Sequence, residues 1–373
     1  MKKYLALLLV ALLLCCLISC SDEEEEIPRI DDNVSVEDTA PEKVEEPLDQ
    51  PVQEEIPEEL PDPNKTEISF TTGLPCTPEE KIVRPIAVMY NNIKVSLPQN
   101  EISKADIVYE CDAEGGITRL MAIFSDWKNL GEIGSVRSSR DYFVSLSESH
   151  GAIYVHAGGS PSAYEKLINT DVDYVDGVNM NYLPKNTFYR NKDRIRNNGY
   201  EHSMMTDGEK LSTAINQLGY KTETDIYYAP PYSFNTEFTS LNGEKAESIT
   251  LEHSSYVTVN FEYDGDSATY LKYSYGEPHI DGTNEEQLSF TNVIVLFVKE
   301  RVLDEQGRLD VDLTSGGSGY YFSGGECIDV TWSRSSDNSP FVITARGEEV
   351  KLNPGKTHIT LFNRNYKENV TKE

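Results

Sequence analysis

From Ser248 the chain changes its period. In SITLEHSSYVTVNFEYDGDSATYLKYSYG, TNVIVLFVKERV, GSGYYFSGGECIDVTWS and FVITARGEEVKLNPGKTHITLF, β-branched and aromatic residues recur at short spacing, many alternating with polar ones. That is the two-residue repeat of half-buried strands. Asp264-Gly265, Arg346-Gly347-Glu348 and Asn353-Pro354-Gly355-Lys356 punctuate the run as turns, and YDGDSATYLKY reads as a hairpin. A stretch of this kind folds as a mainly antiparallel β domain, predicted over 248–364 with 365–373 as a tail.

Upstream, strand and helix patterns alternate. RPIAVMYNN (84–92), ADIVYECDA (105–113) and ITRLMAIFSD (117–126) are apolar runs of strand length. SRDYFVSLSESHG has Tyr142, Phe143, Leu146 and His150 at helical spacing, with Ser139 and Asp141 as cap candidates. AIYVHAG is a strand entering a Gly-Gly turn, and PSAYEKLINT is a helix with Ser160 as N-cap and Pro161 at its first position. DGEKLSTAINQLGY puts Leu211, Ala214, Ile215 and Leu218 on one helical face. The fold predicted for 66–247 is α+β or α/β. TDIYYAPPYSFNTE, aromatic and Pro-rich, is expected to lie as an ordered connection over that first domain.

The first 65 residues are of another kind. Lys2 and Lys3 precede an apolar run from Tyr4 to Ile18, shorter than the ~20 residues that span a bilayer, with the layout of a secretion signal. Leu17-Ile18-Ser19-Cys20 looks like a lipobox. The expectation is a lipoprotein signal peptide over 1–20, acylation at Cys20, and anchoring of the rest to the extracytoplasmic face of the cell membrane. Between Asp22 and Pro63 stand 18 acidic residues against Arg29 and Lys43, with seven prolines and no aromatic residue. Such a segment cannot bury enough apolar area to offset chain entropy, so 21–65 is predicted to be a disordered tether. It carries about half of the net charge of −30. Both parts repel polyanions, which argues against nucleic acid as a partner. Of six cysteines, Cys76, Cys111 and Cys327 remain in the folded part. Without a CxxC spacing or a zinc-type cluster they allow at most one disulfide.

Polar residues able to do chemistry concentrate in the first domain. Arg119, Arg137 and Arg140 carry planar forks that hold carboxylate or phosphate in bidentate fashion. Glu110, Asp112, Glu114 and Asp141 stand near enough in sequence to pair with them, so a ligand cleft and an internal ion network are both open. Gly158, Gly159 and Ser160 mark a strand-to-helix junction whose backbone N–H groups could receive an anion. Glu114, before two glycines, is a candidate acid, and His156 and His202 are candidate proton acceptors. No H-E-x-x-H, histidine cluster or EF-hand loop occurs, so neither a metal nor another cofactor is expected.

RPIAVMYNN, SKADIVYE, AEGGITRLMAIF, IGSVRSSRDYF, YVHAGGSPSA and FYRNKDRIRNNGYEHSMMT, followed in the same order by YLKYSYGEPHIDGTNEEQLSFTNVIVLFV, TSGGSGYYFSGGECIDVTWS and VKLNPGKTHITLF, resemble the YerB-like lipoproteins of Gram-positive bacteria. The resemblance covers nearly all of the folded part. It implies lipid anchoring and an α/β domain followed by a β-rich one, and it brings no settled activity. The chain departs from the family where Glu201-His202-Ser203 stands in place of a Pro-His-Asn triplet, which keeps the histidine and loses the Asn side chain. The function expected is binding of an anionic cell-wall component, a peptidoglycan peptide or glycan or a teichoic phosphate, through an Arg-lined cleft. The alternatives are a peptidoglycan-cleaving enzyme using Glu and His, and an adaptor contacting another envelope protein.

Overall fold

Period-two runs build a sheet larger than either sequence region. The fold comes from a computed structural model, which describes residues 62–225 and 228–373. The signal peptide, Cys20 and nearly all of the acidic segment lie outside the described residues. The first region supplies β1 (Ile86–Asn91), β2 (Ile107–Asp112), β3 (Thr118–Phe124), α1 (Asp141–Ser149), β4 (Ile153–His156), α2 (Pro161–Ile168), β5 (Tyr174–Asp176) and α3 (Gly208–Leu218). The second supplies β6 (Ser248–Glu252), β7 (Thr258–Asp264), β8 (Thr269–Ser274), β9 (Asn292–Val302), β10 (Gly317–Ser323), β11 (Glu326–Ser333), β12 (Val342–Ala345), β13 (Thr357–Asn363) and β14 (Val370–Lys372).

Helix signals in the sequence act where they stand. The Ser160 hydroxyl accepts the Ala163 N–H and Pro161 opens α2. Asp207 caps α3, which Gly219 ends in the left-handed conformation. The N-cap of α1 is Arg140, with no side-chain cap bond, and Asp141 sits in the first turn. The basic stretch after Tyr189 contains a short helix, Lys192–Asn197, capped by Asn191.

Among the described residues the central sheet has thirteen strands, eleven along the path Glu348–Glu349, β12, β11, β10, β9, β13, β2, β3, β1, β4, β5, with Glu244–Lys245 paired to β11 and Leu309–Asp312 to β9. β13, from the far end of the chain, runs parallel to β9 on one side and to β2 on the other. The two sequence regions therefore share one sheet within a single unit, Leu60–Glu373. Strand alternation divides the core between its faces. Ala87, Met89, Tyr109, Met121 and Ile359 pack with Phe143, Leu146 and Leu167 of α1 and α2. Val88, Val108, Leu120 and Val295 pack with Leu211 and Ile215 of α3 and with Ile249, Val259 and Phe261 of the second sheet. That second sheet is antiparallel, with β6, β7 and β8 at its centre. The predicted tail is part of it, since β14 pairs with β6. The connection between the regions is ordered in its described part: Tyr232 is buried and its hydroxyl lies 2.8 Å from that of Tyr109. Cys76, Cys111 and Cys327 are free and buried.

Candidate functional site

Antiparallel register sets the first cluster. Asn91 at the end of β1 stands opposite Arg119 on β3. Gly115 and Gly116, both at positive φ, turn the chain so that Glu114 faces back toward that strand. The Glu114 carboxylate accepts from Arg119 Nη2 at 2.6 Å, from Arg140 Nε at 3.0 Å, and from Arg140 Nη2. Arg119 Nη1 donates to the Ser138 carbonyl at 2.7 Å. Arg119 and Arg140 side chains are only 3% and 7% exposed, and Glu114 is 26% exposed. Burial and the neighbouring Arg140 push Arg119 down to about 10 against the pull of Glu114. Burial would raise Glu114, but the two guanidinium groups outweigh it and hold the carboxyl low.

Arg137 lies outside this knot and pairs with the exposed Glu201 at 3.1 Å. Next to it His202 Nδ1 takes a 2.6 Å hydrogen bond from the Asn91 amide. Burial and Arg137 lower its pKa. Glu114, Arg119, Arg137, Arg140 and His202 thus gather at one end of β1 and β3, with two of the three guanidinium groups occupied by one internal carboxylate.

The Gly-Gly junction has a partner of its own. The Gly158 N–H donates to Asp176 Oδ1 at 2.8 Å, and the same oxygen takes the Val178 N–H at 2.9 Å. Tyr164 donates to Asp176 Oδ2 at 2.8 Å. The anion at this turn is therefore the chain's own Asp176. Gly159 forms a bridge with Ser139, and Ser160 caps α2. His156 is fully buried beside Tyr154 and Tyr174, donates from Nδ1 to the Gly158 carbonyl at 2.9 Å, and has its pKa lowered by burial. Asp176→Asn, which retains one carbonyl oxygen for these donors, is expected to cost about 1–3 kcal/mol, read as a lower urea midpoint.

Two cavities lie beyond the arginine knot and meet at Glu300. One, of about 620 Å³, is lined by Asp141, Lys166, Asp310 and Arg364 together with Glu300. The other, of about 630 Å³, is lined by the Gly115–Gly116 turn, Asp112, His253, Asn363 and Tyr366 together with Glu300. Asp141, one of the sequence candidates, thus lines a cavity that none of Arg119, Arg137 and Arg140 lines, and burial raises its carboxyl. His253 Nδ1 lies 2.6 Å from Asp112 Oδ1. Burial would lower this imidazole, but Asp112 outweighs it and raises its pKa. Glu300 is pushed up to about 9, by burial first and then by Asp112.

Beneath lies a charged network of which sequence reading named only Glu110, as a possible partner for the arginines; its partners are instead Lys272 and His358. Lys272 Nζ stands 3.0 Å from Glu110 Oε2 and His358 Nε2 3.3 Å from the same oxygen, all three side chains fully buried. Asn92 and Thr118 donate to Glu110 Oε1 at 3.0 and 2.7 Å. Period two carried the signal: in TYLKYS, Tyr270, Lys272 and Ser274 share the inward face. His253 and Glu300 had no such signal, because their partner Asp112 belongs to the other sequence region.

The model described as the N-terminal domain of a protein of unknown function, DUF3048, matches residues 71–221, and the corresponding C-terminal domain model matches 248–359. The Bacillus subtilis protein named Putative lipoprotein YerB is 32% identical over 287 residues, covering 76% of this chain and 83% of that one. The crystal structure of YerB from Bacillus subtilis superposes with a TM-score of 0.72 at 28% identity, over 82% of this chain and 99% of that one. The two matched regions are those joined here through β13 and β2, and on this footing the chain belongs to the DUF3048 family.

Proposed function

We propose that this chain is a membrane-anchored lipoprotein of the cell envelope, tethered through lipid on Cys20 at the extracytoplasmic face. Its folded part binds a polar cell-wall component in the paired cavities at Glu300. Similarity to a protein named as a lipoprotein supports the anchoring, as do the lipobox-like Leu17–Cys20 and the acidic segment after it. One observation carries the binding reading: two cavities of about 620 and 630 Å³ share Glu300, a size that suits small-ligand sites.

Charge selects the kind of ligand. Arg119 and Arg140 already share Glu114, so they have little to offer the anion expected from the sequence. Asp112, Glu252 and Glu300 line one cavity, where no Lys or Arg does. Uncharged hydroxyls or cationic groups suit such a wall. The arginine knot serves this site by fixing the Gly115–Gly116 turn at its edge.

The test incubates the full-length lipoprotein in detergent with purified cell wall, followed by sedimentation and product analysis. Retention on the wall, weakened by Asp112→Asn, is the expected result. Soluble wall fragments would make the site that of a hydrolase. Absence of both would overturn the reading in favour of an adaptor.

A further inference from the structure

Asp112 and Glu300 both stand at the wall of the second cavity. Asp112 Oδ1 is taken by His253 Nδ1 at 2.6 Å, and Glu300 Oε2 accepts from the Asn363 amide at 3.1 Å. Glu300 Oε1 is buried without a partner. The His253 side chain, 1% exposed, lines the same cavity with Nε2 also unpartnered. Two facing carboxyl groups with an orphaned oxygen require a donor between them. With no ligand that donor is a proton: burial first, and then Asp112, push the Glu300 carboxyl up to about 9. Around it stand Asp112, Glu252 and His253 on this side and, from the other cavity, the acids Asp141, Asp310, Asp312 and Asp337 with the cations Lys166, Lys299, Arg301 and Arg364. Among the described residues no group of three or more His, Cys, Asp or Glu side chains could hold a metal ion.

We propose that the group this site recognises on its ligand is a primary ammonium, held by the carboxyl groups of Asp112 and Glu300 at the wall of this cavity. This rests on the binding reading above and names the chemistry of its ligand. The exchange balances: the Glu300 carboxyl and a free ammonium become a carboxylate–ammonium pair, and one proton leaves to solvent. An ammonium brings three N–H donors, and Glu300 Oε1 and the second oxygen of Asp112 are there to accept. The Tyr366 ring, 49% exposed at the cavity wall, offers a face of the kind that favours cations. None of the lining side chains is a lysine or arginine, and the one imidazole among them, His253, is already engaged by Asp112 Oδ1.

Calorimetric titration at pH 7 in two buffers of different ionisation enthalpy tests this on the full-length lipoprotein in detergent. The probes are glucosamine, Nα-acetyl-lysine amide and, as a control without an ammonium, N-acetylglucosamine. At least one ammonium probe is expected to bind with release of about one proton. The control is expected to bind roughly tenfold or more weakly and to release none. Release by glucosamine alone identifies an amino sugar as the source, and release by the lysine derivative alone a peptide amine. Glu300→Gln, which replaces a protonated carboxyl by an amide of the same shape, should keep the thermal transition, abolish proton release and weaken the ammonium probes roughly tenfold. Binding of the control as tight as that of the amines, no proton release by the unsubstituted protein, or no binding up to the solubility of the probes would each overturn the proposal. If the wall is still retained in sedimentation, only the ammonium assignment falls and the binding reading stands.

Discussion

Lys272→Met is expected to destabilise the folded part by about 3–5 kcal/mol, the usual cost of removing one partner from a buried ion pair. Lys272 Nζ lies 3.0 Å from Glu110 Oε2 with both side chains 0% exposed. It also reaches Ser274 Oγ at 3.1 Å and His279 Nδ1 at 3.3 Å. Methionine fills a similar volume, so the loss comes from stranding a carboxylate away from water rather than from a cavity. The pair also joins the second sheet, which carries Lys272, to the central sheet, which carries Glu110. The urea midpoint of the full-length protein measures the loss. Glu110→Gln in the same chain should restore part of it, because the stranded charge is then gone; double-mutant coupling of about 0.5–3 kcal/mol is the range for contacting residues. A single-variant loss below about 1 kcal/mol, the level of an exposed pair, would show that Lys272 is not sealed from solvent.

Glu114→Gln is expected to cost about 3 kcal/mol at pH 7, since it leaves the nearly buried Arg119 and Arg140 facing each other without a counter-charge. The same carboxylate gives stability a pH dependence of definite sign. Its folded pKa lies below the ordinary 4.5, so between the two values the unfolded chain binds more protons than the folded one. Its contribution is therefore complete above about pH 4.5 and is lost as the pH falls through the folded value. Burial would raise Glu110 too, but Lys272 and His358 hold it well below its ordinary range, which adds to the same acid limb. Urea midpoints measured from pH 7 down to pH 3 should fall for the unsubstituted protein and fall less steeply for Glu114→Gln. An unchanged slope would mean that Glu114 is not held low by its arginines.

Local chemistry was legible where a residue's role depends on its neighbours in sequence. Ser160, Pro161 and Asp207 mark helix starts, the apolar runs at 84–92, 105–113 and 117–126 hold β1, β2 and β3, and YDGDSATYLKY spans the β7–β8 turn. The arginine knot was half legible. Arg119, Arg140 and Glu114 were singled out together, with a ligand and an internal network both open, and register then set Glu114 between the two guanidinium groups. The Gly158 turn misled because its carboxylate, Asp176, arrives from a strand 18 residues further on. Asp112, His253 and Glu300 could not be assembled at all, since 141 residues separate Asp112 from His253.

The sequence by itself determined where strands and helices lie and which side chains face inward. These follow from period, capping and composition, each set by residues a few positions apart. Only the tertiary structure decided that β13 enters between β9 and β2. Lys272 then meets Glu110, Asp112 meets both His253 and Glu300, and two cavities open at the seam. The reason is that alternation fixes the face of a strand but leaves its neighbour undetermined. Backbone hydrogen bonds are the same for any partner, and the choice falls to packing over the whole sheet.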